Sequence, residues 1–178
     1  MAELKRWSIG LALLFSLWLD GTLSHWLNNV LPSGFTGVNF WSIVVGICLI
    51  GLVDDLNNRE IIIALVIGLL ADLYYLGFVG PYTVGLPLLM FTSQKIARFI
   101  PEVFVVRLII VPIFYLLFTL LFWLIMTTAG VINVDLRSVF LGLLYNFILA
   151  LILTTLTYPL WVRLARDYPF GEKLDPYH

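Results

Sequence analysis

The sequence predicts an all-α, polytopic membrane protein, with about six transmembrane helices in one compact bundle over residues 1–162 and a short cytoplasmic tail over 163–178. Three observations predict it. Hydrophobic residues make up 61% of the chain and charged ones only 12%, with a mean hydropathy of +1.02, far from the roughly 25% charge of a soluble domain. Charges also fall at the ends of long neutral runs: none lies between Asp20 and Asp54, between Arg107 and Asp135, or between Arg137 and Arg163. A span needs about 20 apolar residues, so the last two runs hold one helix each and the first holds parts of two. Finally, with six spans, Lys5, Arg6, Arg59, Lys95, Arg98, Arg107, Arg163, Arg166 and Lys173 share the side of the N-terminus and only Arg137 lies opposite. That asymmetry puts both termini in the cytoplasm.

The first span runs from about Trp7 to Leu27. Lys5 and Arg6 before an apolar core resemble a signal peptide. The stretch continues through Asp20 and Gly21 without a small-residue cleavage pattern, however, so it is kept as a span. The turn formers of NNVLPSGFTG end it. The second span, about Val38 to Val53, is short and stops at DDLNNRE. Asp54 and Asp55 read as solvated loop acids, because a divalent cation would need further oxygen ligands nearby. The third and fourth spans form the hairpin Glu60 to Arg98, joined by LGFVGPY; Gly85 and Pro87 interrupt the fourth, and a proline removes a backbone hydrogen bond and kinks a helix. Pro101 resets the chain. The fifth span covers about Val103 to Thr128 with a second kink site at Pro112, and the sixth covers about Ser138 to Val162, ending at Pro159. The Pro/Gly-punctuated tail is expected to hold little fixed structure. Trp7, Trp26, Trp41, Trp161, Tyr74, Tyr75 and Tyr82 fall near span ends, as an interfacial aromatic belt would, and Arg107, one turn inside the fifth span, is expected to snorkel to the interface.

Two carboxylates, Asp20 and Asp72, lie inside spans. An ionised acid at a helix centre is unfavourable by roughly 2.5–3.5 kcal/mol on insertion scales, so both must face protein or water. A rise of 1.5 Å per residue puts them about 18–20 Å from the cytoplasmic edge, at a shared depth. Either they form a buried polar contact or water-filled pocket joining the first and third helices, protonated or paired with donors such as His25, Asn146 or a partner's residue, or they belong to a cation or proton pathway. The scarcity of other polar residues along the spans favours the structural contact. Gly68, one turn before Asp72 on the same face, lets a neighbouring backbone come close to the acid. Gly142 and Asn146 give the sixth helix a small, polar stripe able to approach the acids. Gly10, Gly46, Gly51 and Ala64 also allow close helix contact, although no G-x-x-x-G pair is present.

No constellation for chemistry is found. His25 and His178 lack a Ser, Cys or second His at motif spacing, and metalloprotease, serine-hydrolase and phosphate-loop patterns are absent. No cofactor or metal is expected. A net charge of −1 excludes a nucleic-acid partner, and the single Cys48 excludes an internal disulfide and reads as a small buried hydrophobe.

The run G-L-L-A-D-L, residues 68–73, followed by G-F-V-G-P-Y, residues 77–82, and a further apolar span resembles the rod shape-determining protein MreD family. Gly68, Asp72, Leu73, Gly77 and Gly80 carry the likeness; overall length, crowded spans, cytoplasmic termini and a short basic tail fit the layout. The resemblance implies a non-enzymatic subunit of the bacterial cell-elongation machinery in the cell membrane. Such a subunit binds the bitopic protein MreC and through it associates with the actin-like MreB, the glycosyltransferase RodA and its class B penicillin-binding transpeptidase, with membrane lipid around it. Such a fold is also similar to the substrate-binding S-components of energy-coupling-factor vitamin transporters. That is the alternative, and it would require an outward pocket in which Asp20, Asp72 and aromatic residues meet a ligand.

Overall fold

A computed structural model of the chain describes residues 7–30, 40–53, 58–133 and 135–167, and they form six α-helices. These are α1 (Ser8–Val30), α2 (Ser42–Gly51), α3 (Asn58–Tyr75), α4 (Pro81–Ala97), α5 (Phe104–Thr128) and α6 (Leu136–Asp167). Asp54, Asp55, most of the first turn-forming loop and the end of the tail lie outside the described residues.

Local chemistry sets the helix ends. Gly77 takes φ +74, a left-handed conformation that glycine reaches without steric cost, and its N–H closes on the carbonyl of Asp72 at 3.0 Å. Pro81 then opens α4 at its first position, where its fixed φ suits the helix and a missing N–H costs nothing. Val103, extended after Pro101, opens α5. Pro87, Pro112 and Pro159 all lie inside helices.

The ten residues of α2 are all buried, and α2 packs against α1, α4, α5 and α6. The α3–α4 and α5–α6 hairpins close around it, and α1 leans on α2 and, more sparsely, on α3. At one end of α2 the Trp41 ring meets Phe118 edge-on, with centroids 5.0 Å apart, and lies 5.3 Å from Phe122. At the middle of α2, Trp161 lies over Gly46, where a Cβ would come within 2.6 Å of the indole. The α5 helix and the Arg137–Arg166 part of α6 are long and apolar enough to cross a membrane.

Four expectations are corrected. Among the described residues the second span is helical over Ser42–Gly51 only, about 15 Å at 1.5 Å per residue, half of a bilayer core of roughly 30 Å. The sixth helix does not end at Pro159 but continues to Asp167, five residues beyond Val162; the Pro159 ring is exposed, so it displaces no packed neighbour. Trp41, Trp161 and Tyr82 are core residues rather than interfacial ones, because each ring fills space between helices, whereas Trp7, Trp26 and Tyr74 are exposed. Arg107 does not snorkel. It is 2% exposed, and its Nη2 donates to the carbonyl of Leu52 at 3.1 Å, just beyond the C-terminus of α2, while Nη1 approaches the Tyr158 hydroxyl at 3.4 Å. A cation placed there meets the negative end of the helix dipole and unpaired carbonyls.

Arg107→Met keeps the aliphatic stem and removes every donor. It is expected to lower stability by about 1–3 kcal/mol, the cost of a buried acceptor left unsatisfied, with a smaller loss for Arg107→Lys. Thermal unfolding of the purified variants in mild detergent measures this; a wild-type midpoint for Arg107→Met would mean that the guanidinium reaches the surface instead.

Candidate polar site at two helix N-termini

Asp20 and Asp72 each serve the first turn of the helix that follows their own. After Gly77 the chain returns across the Asp72 side chain. Its Oδ2 accepts from the Gly80 N–H at 2.8 Å, the Thr83 N–H at 2.7 Å and the Thr83 hydroxyl at 2.6 Å, and its Oδ1 accepts from the Tyr82 N–H at 3.1 Å. Gly80 is the N-cap residue of α4 and has no side chain to cap with; Pro81 has no N–H. One carboxylate from the preceding helix therefore takes every backbone donor from Gly80 through Thr83, in place of an N-cap side chain. Gly68 makes the approach possible. A Cβ there would collide with the Tyr82 carbonyl oxygen and would lie 3.0 Å from the Thr83 Cα, so α3 and the first turn of α4 meet backbone to backbone.

Asp20 repeats the device on α2. Its oxygens accept from the Ser42 N–H at 2.8 Å and the Ile43 N–H at 2.9 Å. Beside them Ser16 and Ser42 share a hydroxyl hydrogen bond of 2.8 Å, and the Trp41 N–H donates to the Tyr115 hydroxyl at 3.1 Å. Two tyrosines link the acids. Tyr82, whose N–H is held by Asp72, accepts from the Trp41 indole N–H at 2.7 Å, and Tyr75, one turn beyond Asp72, donates to the Leu17 carbonyl one turn before Asp20.

The structure thus gathers Gly68, Asp72 and Gly80 at one turn, with Asp20 at the neighbouring helix start. The partners expected for the acids are corrected: the donors on Asp72 and Asp20 are chiefly backbone N–H groups of α4 and α2, and His25 is exposed on α1. A helix start offers several converging N–H groups, which no single side chain matches. Asn146 is fully buried on α6 in line with Gly142 and Ala150.

Two further polar residues were not singled out by the sequence. Glu60, in the first turn of α3, is 1% exposed and accepts from the Gln94 amide of α4 at 3.2 Å. An acid in a first helical turn suits the dipole and reads as a boundary, so only the pairing across the hairpin reveals its burial.

Two concave features adjoin these residues. A pocket of about 220 Å³ has Asp20, Trp41 and Tyr82 as its buried floor and Ser24, Tyr75 and Phe122 among its half-buried walls. An apolar groove of about 310 Å³ runs between α1 and α3, lined by Gly10, Leu11, Leu14, Val66 and Leu70 among others. Among the described residues, no three His, Cys, Asp or Glu side chains converge to hold a metal ion.

Because every partner of Asp72 is a donor, Asp72→Asn must turn its amide NH2 toward one of them. It is expected to cost about 1–2 kcal/mol, and Asp72→Leu, which removes all four bonds, more than about 2 kcal/mol. Gly68→Leu is expected to destabilise comparably without touching the acid. Unfolding midpoints in mild detergent rank the three; an Asn variant as stable as the parent would refute the acceptor role.

Compared with known proteins, the chain matches no family model, no curated protein and no solved structure.

Proposed function

We propose that the chain is a membrane-embedded, non-enzymatic subunit of the bacterial cell-elongation machinery, similar to MreD. It binds an MreC-type bitopic protein and acts, directly or through it, with MreB, RodA and a class B penicillin-binding transpeptidase. The observation that carries this proposal is the Gly68–Asp72–Gly80 turn, the same residues on which the family resemblance rests. Their geometry gives the pattern a physical reason: a glycine for backbone approach, an acid for the donors of the next helix, and a second glycine whose N–H meets that acid.

Membrane embedding is supported by an inverted distribution of polarity. Asp20, Glu60, Asp72, Gln94, Arg107 and Asn146 are buried, whereas Leu65, Leu117, Leu124, Leu144, Ile152 and Leu156 are exposed on α3, α5 and α6. In water such an apolar surface would be a liability, and against lipid it is the favoured one. In this arrangement α2 sits inside the bundle, the helices alternate in direction, and both termini face the cytoplasm. A non-enzymatic role fits the site's chemistry, since the oxygens of Asp20 and Asp72 are engaged by the donors of two helix starts. The groove between α1 and α3 is the surface we assign to a partner's single transmembrane helix, because Gly10 there has nothing within 4 Å of where its Cβ would lie and so admits a close helix contact.

One observation favours a second function, that of a transporter S-component: the pocket of about 220 Å³ with Asp20 in its floor. Asp72 does not line that pocket, and the ligand-facing acid is reduced to one.

Affinity purification in mild detergent separates the two. MreC in the eluate supports the elongation subunit, and ATPases with a transmembrane coupling subunit support the transporter. Gly10→Leu adds bulk to the groove at a position where a Cβ meets nothing within 4 Å, and is expected to lower MreC recovery at unchanged membrane level; unchanged recovery would remove the groove as the contact. A reporter fused after His178 is expected to signal from the cytoplasm, and an outside signal would refute the orientation.

A further inference from the structure

The pocket at the N-terminus of α2 has a lining of unusual chemistry for a gap between helices. Its floor holds the Asp20 carboxylate, whose two oxygens each accept one backbone N–H and each keep a further lone pair. Both oxygens lie against the positive end of α2 and offer their remaining lone pairs as acceptors. Among the described residues, no Lys, Arg or His lines the pocket. Around the floor the aromatic rings form a contiguous wall: Trp41 to Phe122 at 5.3 Å, Phe122 to Tyr82 at 5.8 Å and Tyr82 to Tyr75 at 5.8 Å between centroids. The strongest donors of that wall are turned into the protein, the Trp41 indole N–H to Tyr82 and the Tyr75 hydroxyl to Leu17. A guest therefore meets chiefly aromatic carbon and the acceptor oxygens of Asp20, with the Tyr82 hydroxyl beside them. Aromatic walls of this kind attract cations through the negative ring faces. At about 220 Å³ the space lies below the roughly 300–1,000 Å³ of pockets for drug-sized ligands, so it suits a headgroup-sized molecule.

We propose that this pocket binds an alkylammonium group, of the choline or ethanolamine type, carried by a small molecule or by a lipid headgroup. The inference rests on the pocket alone and does not depend on association with a cell-elongation partner. The charge contacts Asp20 from the open side, and Trp41, Tyr75, Tyr82 and Phe122 surround the alkyl substituents.

The test uses the full chain, purified in a maltoside detergent that carries no ammonium group. Choline is titrated against its uncharged tert-butyl isostere, in which carbon replaces the ammonium nitrogen, with binding read by calorimetry. Saturable choline binding at least tenfold tighter than the isostere is expected. Phe122→Leu keeps α5 intact and removes one wall; it should weaken choline by roughly 2- to 30-fold, the range for loss of one cation–π contact. Asp20→Asn should weaken it further where the variant folds, and Phe122→Leu serves where it does not. Nanodiscs of phosphatidylglycerol with and without phosphatidylcholine distinguish the sources. Competition by phosphatidylcholine, or its Phe122-dependent retention through purification, identifies a lipid headgroup; choline binding indifferent to it identifies a free molecule. Equal affinity for choline and the isostere overturns the proposal. So does an unchanged affinity in Phe122→Leu, or the absence of both choline binding and phosphatidylcholine retention.

Discussion

A ten-residue helix buried along its whole length carries its polar ends into the bundle, and that constraint organises it. An α-helix leaves four N–H and four C=O groups without intrahelical partners, and a buried unpaired group costs about 1–3 kcal/mol. In a long surface helix those ends reach solvent. Here α2 brings them into the core, and other helices must supply the partners. Asp20 from α1 takes two N–H groups at one end, and Arg107 from α5 takes the Leu52 carbonyl at the other. A negative group at the positive end and a positive group at the negative end is the order the helix dipole favours. The aromatic cluster of Trp41, Tyr82, Tyr115 and Phe118 then packs over the first end, with its own polar atoms bonded to one another.

The sequence made the hairpin legible because its signals are local. An acid in an apolar run, a glycine one turn earlier and a Gly–Pro return lie within a stretch of 15 residues from Gly68 to Tyr82. Even the cap was readable in principle, since a glycine followed by proline cannot cap its own helix and the nearest acid stands eight positions back. Asp20 is a different case. Its donors follow 22 and 23 residues later, across a connection that carries no periodic signal. Arg107 and Leu52 are 55 residues apart, and a single arginine near a span end looks the same whether it turns outward or inward. The aromatic residues misled for a related reason. An amphipathic ring near a helix end suits an interface and a polar core equally well, and only the packing around Gly46 and Phe118 separates the two for Trp161 and Trp41.

Taken together, these contacts leave few polar atoms over for a partner. Asp72 is engaged by four donors and Glu60 by Gln94, while the outer faces of α3, α5 and α6 present leucine, isoleucine and valine. Recognition by such a surface rests on shape, in grooves and small residues, more than on charge. The pocket beside Asp20 is the exception, where buried acceptor oxygens and aromatic rings line an open space.

The direction of the two caps carries a consequence for assembly. Each acid belongs to the helix that is synthesised first, and its donors belong to the helix that is synthesised second: α1 before α2, α3 before α4. If the chain enters a bilayer during synthesis, α1 and α3 each arrive with a carboxylate whose partners do not yet exist, at a cost of roughly 2.5–3.5 kcal/mol on insertion scales. That cost is relieved only when the next helix start emerges. The natural unit of entry is then the pair rather than the single helix, and the short α2, too brief to cross alone, reaches its place by docking onto an acid that is already waiting.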